Sequence, residues 1–148
     1  MSSEMKQYFF FKLNDDIYAI DASFVNEMVE YQAFTKVPMM ASYVRGVTNI
    51  RGHIISVIDL QERLGLGKAT IGKKSSLVIV DKIALIIDEV HEVNSIETTE
   101  LKSALNFGFK IEPQFVHNMA QYEGQYIAIL NLDEVLNISE ISLPREKK

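Results

Sequence analysis

Residues Gly52 to Leu64, GHIISVIDLQERL, return as GQYIAILNLDEVL from Gly124 to Leu136, at a constant offset of 72 residues. In both copies a glycine is followed by an apolar β-forming run, then Asp or Asn, Leu, and a Glu between two leucine-type positions four residues apart. The β-branched run predicts a strand, and the i, i+4 leucine spacing predicts a short helix after it. A chain that repeats a strand-plus-helix unit of this size is constrained to fold as two similar small β modules. Residues shared by the copies are explained by shared folding, so function is to be sought where the copies differ. The residue before the glycine is Arg51 in one copy and Glu123 in the other, which singles out Arg51. Upstream, Val47-Thr48-Asn49-Ile50 is answered by Val116-His117-Asn118-Met119, an alignment that requires a slip of three residues and a longer connection in the second copy.

Other elements follow from local pattern. Tyr8 to Leu13 and Ile17 to Ile20 read as a hairpin around Asn14-Asp15-Asp16, and Leu77 to Val80 with Ile83 to Ile87 as another around Asp81-Lys82. Both hairpins end in Ile-Asp, so the repetition extends weakly over both halves. Asp21 is a plausible helix N-cap, with Phe24, Val25, Met28 and Val29 at helical spacing, which predicts a helix from Asp21 to Val29. Gly65 and Gly67 stop the short helix near Leu60 to Leu64, and Lys68 to Ser76 predicts an exposed loop. Strands dominate, and two small β-barrels sharing a core are the expected architecture.

Composition narrows the function. The 148 residues are 47% hydrophobic, enough for one compact domain or two tightly joined small ones. A net charge of −5 argues against a nucleic-acid binder. The absence of cysteine excludes disulfides, thiolate metal sites and cysteine nucleophiles. No segment approaches the ~20 apolar residues of a membrane span, so a cytoplasmic protein without membrane insertion is expected. His53, His91 and His117 lack metal-ligand spacing along the chain, and no cofactor is expected. Asp59 and Asp88 follow aliphatic strands and read as caps rather than as a catalytic pair; no nucleophile elbow or triad stands out. The most informative pair is Glu27 and Arg51: each is flanked by apolar residues, and pairing offsets the cost of desolvating either alone. They are read either as two separate surface charges or as an ion pair organising a binding surface.

The run YVRGVTNIRGHIISVIDL, Tyr43 to Leu60, resembles the signature of the CheW family of bacterial chemotaxis coupling proteins, through Gly46, Val47, Asn49, Ile50, Arg51, Gly52, Asp59 and Leu60. Tyr18, Ile20, Asp21, Val25, Glu27 and Met28 match its upstream pattern, and LIIDEVHEV and YIAILNLDEVL fit its second half. Departures are Ser56 where a proline is usual, Gln61 where a basic residue is common, and a missing glycine in Val116 to Met119. The resemblance implies a mainly β fold of two interlocked five-stranded SH3-like β-barrels with a few short helices. One CheW-like domain would span residues 7–140, with 14–76 as first barrel, 77–138 as second, strand 7–13 a candidate for sharing, and 141–148 a C-terminal tail. It implies an adaptor without enzymatic activity that joins chemoreceptor cytoplasmic tips to the regulatory domain of the histidine kinase CheA, recruited to membrane-associated arrays. The residues carried over for coupling are Val25, Glu27, Met28 and Arg51. Val25, Met28, Ile86 and Ile87 are candidates for lining a groove between barrels that would accept a receptor helix, with ordinary core as the alternative reading, above all for Ile86 and Ile87. Gly46, Asn49, Gly52 and Asp59 are assigned to the structural motif. The rival reading is an isolated β-barrel module for an unrelated ligand.

Overall fold

The computed structural model describes residues 4–38, 41–105 and 107–137; the expected tail 141–148 lies outside them. Ten strands run in chain order: β1 (Met5–Leu13), β2 (Asp16–Asp21), β3 (Glu27–Glu30), β4 (Val44–Ile50), β5 (His53–Asp59), β6 (Ser76–Val80), β7 (Ile83–Ile87), β8 (Glu89–Glu97), β9 (Val116–Tyr122) and β10 (Gln125–Leu130). The short helices α1 (Leu60–Arg63) and α2 (Leu132–Val135) close the two repeats. The fold is mainly β, with two five-stranded sheets of order β8-β1-β2-β10-β9 and β3-β6-β7-β5-β4.

These two orders are the same order with the units exchanged. Each unit consists of a hairpin, a lone strand, a second hairpin and a helix. The β1–β2 hairpin of the first unit sits among strands of the second, and the β6–β7 hairpin of the second sits among strands of the first. Two parallel seams make the exchange: Ala128 pairs with Tyr18, and the run Ser56 to Asp59 pairs with Ile83 to Ile86. The expected division at residues 76 and 77 is therefore corrected. One sheet is contiguous from Glu27 to Ile87, and the other combines Met5–Asp21 with Glu89–Leu130.

The exchange explains why the strands read as unbroken apolar runs: both of their faces are buried. Phe9, Phe11, Leu13, Leu85, Ile87, Ile58 and Leu130 point into a core shared by the two sheets. Tyr8, Phe10, Ile127 and Ile129 fill the inside of one sheet, and Val57, Leu77, Ala84 and Ile86 fill the other. Ile86 and Ile87 are 2% and 1% exposed. They alternate between two cores and cannot line a groove, which corrects their assignment to a coupling surface.

The 72-residue offset holds further upstream than the sequence suggests. Val44 pairs with Ile58 and Gly46 with Val57 across a bulge, just as Val116 pairs with Leu130 and Asn118 with Ile129. The slip of three residues is thus corrected: Asn118 corresponds to Gly46, His117 to Arg45, and the two connections are equal in length. Matching bulges and matching backbone bonds, Asp59 N–H to Tyr43 C=O and Asn131 N–H to Phe115 C=O, both 2.8 Å, fix the equivalence. The helix expected over Asp21 to Val29 is also replaced. A single 3₁₀ turn, Ala22–Phe24, is capped by Asp21, and β3 then pairs with β6. β-Branched Val25 and Val29 turn inward, Met28 outward, and the edge of β6 supplies a ladder that outweighs the weak helical pattern.

Gly46 marks a close crossing, where Thr35 exchanges two backbone hydrogen bonds with Val47 (2.7 and 2.8 Å). A Cβ at Gly46 would stand 2.1 Å from the Thr35 carbonyl oxygen. We expect Gly46→Ala to destabilise the fold by about 1–3 kcal/mol or more, read as a lower midpoint in urea denaturation.

Candidate functional site

The β4–β5 turn consists of Arg51 and Gly52, both with positive φ (52° and 85°), the type I′ geometry that matches strand twist. Asn49 Oδ1 accepts the Gly52 N–H at 3.0 Å and pins this turn, which is the structural role of those two motif residues. A non-glycine residue pays for left-handed backbone, and Arg51 is held there with its side chain directed across the sheet to β3. Its Nε donates to both carboxylate oxygens of Glu27 (3.1 Å each) and Nη2 donates to Oε1 at 2.9 Å.

The pair seen as an open question in sequence is therefore formed, and it lies at the surface, with the Arg51 side chain 72% exposed. Hydrogen bonds from Arg51 hold the Glu27 carboxyl below its ordinary range, and Glu27 raises the guanidinium in return. Beneath the pair is a shallow cleft of about 270 Å³ with Ile50, Ile55 and Ile79 as apolar floor and Asp81 and Lys82 on the rim. Met28 is exposed, and half-buried Val25 packs against the shared core. Val25, Glu27, Met28 and Arg51 thus stand together at one edge, combining apolar surface with a directional ion pair. Such a patch is suited to binding and orienting another protein.

Asp59, at the other end of β5 from the Arg51 turn, is an organising carboxylate. It is 1% exposed, accepts N–H groups from Glu62 (3.2 Å) and Ala69 (2.9 Å), and pairs with Arg45 at 2.9 Å. Arg45 also reaches Glu62 at 2.7 Å. The cap reading of Asp59 was available from sequence; Arg45 was not singled out. The second unit carries Asn131 and His117 at the two equivalent places, and Asn131 likewise caps its helix. Asp88 accepts the Asn14 N–H at 2.8 Å and so holds the first hairpin's turn. Buried Gln61 bridges the same two residues, its amide nitrogen facing Asp88 at 2.7 Å when oriented to satisfy both neighbours.

Arg63 also escaped the sequence reading. It donates to the Val135 and Glu134 carbonyls at the end of α2, both at 2.8 Å. Its guanidinium lies 5.0 Å from the Tyr43 ring centre and 4.9 Å from that of Phe115. Tyr43 and Phe115 are themselves 72 residues apart, so one arginine bridges equivalent places of both units. Extending the constant offset upstream without a slip would have revealed this aromatic pair.

With this geometry in place, the chain can be set beside known proteins. A family model described as CheW-like domain matches residues 7–140. The chain is 28% identical to chemotaxis protein CheW of Bacillus subtilis, covering 93% of this chain and 92% of the relative. It is 26% identical to that of Treponema pallidum, covering 95% and 88%. Among solved structures, the scaffolding protein TtCheW from Thermoanaerobacter tengcongensis superposes with a TM-score of 0.83 at 32% identity, covering 93% of this chain and 96% of that one.

Two outcomes are expected. Asp59→Ala leaves the Glu62 and Ala69 N–H groups without their acceptor and Arg45 with Glu62 as its remaining carboxylate, and lowers unfolding free energy by about 1–3 kcal/mol, measurable by chemical denaturation. For Glu27, the folded state holds the depressed pKa, so its contribution is present above the ordinary glutamate pKa and lost as pH falls through the folded value. Carboxyl NMR should place Glu27 below the ordinary range, and Arg51→Ala should move it back up.

Proposed function

The chain belongs to the CheW-like family of chemotaxis scaffolds, and on that premise we propose that it couples chemoreceptor cytoplasmic tips to the regulatory domain of the histidine kinase CheA. It acts as an adaptor, without catalysis or a cofactor, and controls kinase activity by holding both partners. It works in the cytoplasm and is recruited to membrane-associated receptor arrays through its partners, with no membrane insertion of its own. No helix among the described residues is long and apolar enough to cross a membrane.

The observation that carries this reading is the formed Glu27–Arg51 pair at an edge bearing Val25 and Met28. A receptor tip is a helical hairpin, and a helix docks through apolar side chains spaced along one face while charges set its direction. Met28 and Val25 supply the apolar contact, the cleft under Arg51 receives a side chain, and the ion pair fixes the orientation. The second unit replaces Arg51 by Glu123 and therefore does not duplicate this surface. Modest affinity at each contact is sufficient, because clustered receptors raise the effective concentration.

The test is co-sedimentation of the full chain with receptor-tip fragments and a CheA regulatory domain, alongside kinase activity in the reconstituted complex. Wild type is expected to sediment with both. Arg51→Ala and Met28→Ala should retain the native circular dichroism and thermal midpoint while weakening coupling, whereas Lys110→Ala, on the other sheet's side, should leave it unchanged. A wild-type chain that binds neither partner, or an Arg51→Ala variant that couples fully, refutes the assignment and favours a free-standing binding module.

A further inference from the structure

In the second unit Glu123 occupies the place of Arg51 with the same left-handed backbone (φ 51° against 52°), and β8, the counterpart of β3, brings His91 and Glu92 close to it. Where the first unit sets a cation against a carboxylate, the second sets two carboxylates near one another. Among the described residues, no lysine or arginine pairs with Glu92 or Glu123. The group that enters instead is a histidine: His91 Nε2 lies 3.1 Å from Glu123 Oε2.

One donor atom from each of His91, Glu92 and Glu123 lies within 4.8 Å of the other two. Their surroundings are ordered. The Tyr122 hydroxyl donates to Glu92, its ring stacks on Phe10 at 4.1 Å, and it meets the His91 ring edge-on at 5.8 Å.

We propose that His91, Glu92 and Glu123 form a binding site for a divalent transition-metal ion of the zinc class, linking β8 to the β9–β10 turn. One imidazole nitrogen and two carboxylate oxygens form a mixed donor set that such ions accept, with water completing the shell. Donors about 2.1 Å from a tetrahedral ion stand roughly 3.4 Å apart. The His91–Glu123 separation already meets that requirement, and Glu92 needs only a side-chain adjustment. Tyr122 supplies the outer hydrogen bond that orients a ligating carboxylate. The ion would supply positive charge between the two carboxylates and join the outer strands of this sheet. The site lies on the other sheet from the coupling surface and does not rest on the function proposed above.

Titration of the full chain with Zn²⁺ by calorimetry, and with Co²⁺ by visible absorption, tests the site. The expected result is one saturable site per chain, a visible Co²⁺ spectrum and a higher thermal midpoint with Zn²⁺. His91→Ala and Glu123→Gln should each abolish saturable binding, and Tyr122→Phe should weaken it about 10-fold. His53→Ala and His117→Ala should bind as wild type does. Glu123 is at an exposed turn tip, so Glu123→Gln keeps its fold, as circular dichroism would verify. The proposal fails if the wild type shows no saturable Zn²⁺ binding, if Glu123→Gln binds equally well, or if equimolar Mg²⁺ displaces the Zn²⁺.

Discussion

The structure depends on the two parallel seams, β2 against β10 and β5 against β7. Each joins a hairpin from one unit to strands of the other, so neither unit completes a sheet from its own residues. An internal duplication normally yields two modules in tandem. Here the exchange buries both faces of the hairpins, creating the shared core that contains Phe9, Phe11, Leu85 and Ile87. Arg63, lying over the rings of Tyr43 and Phe115 and bonded to α2, reinforces the junction with a polar contact that reaches equivalent places of both units.

Within this near-symmetric frame, the units diverge in charge. Arg45 and Asp59 anchor α1 in one unit, while His117 and Asn131 stand in the other. Arg51 and Glu27 close one pair of outer strands, and Glu123, Glu92 and His91 close the other. Each substitution keeps the backbone, turn and bulge while altering electrostatics. Duplication thus supplied two copies of a rigid turn, and the side chain at its first position differentiated the surfaces.

Strand identity, the two tight hairpins and the helix caps were legible because they depend on short-range pattern: alternating or continuous β-branched runs, Asn-Asp and Arg-Gly turns, and Asp or Asn before Leu. The Glu27–Arg51 pair was legible because a difference between repeats marked it. The exchange of hairpins was not, since a parallel seam between Tyr18 and Ala128 leaves no trace in local sequence. β3 was misread for the same reason: the pairing edge of β6 comes from a distant part of the chain and overrides a helical spacing. Ile86 and Ile87 read as surface candidates only while the second core inside their sheet was unknown. The slip of three residues arose from matching Asn49 with Asn118 by identity, where the conserved bulge requires Gly46.

The unequal sequence span of the two sheets sets an order on assembly. The β3-β6-β7-β5-β4 sheet has all its strands once Ile87 has left the ribosome, and its ladders are comparatively local. The other must bring Met5–Asp21 together with strands ending at Leu130, so Phe10 waits for its core partners Ala120, Ile127 and Ile129 until β10 has been made. The N-terminal hairpin is therefore made first and seated last, and the interval between those events is the period in which this protein is most exposed to misassociation.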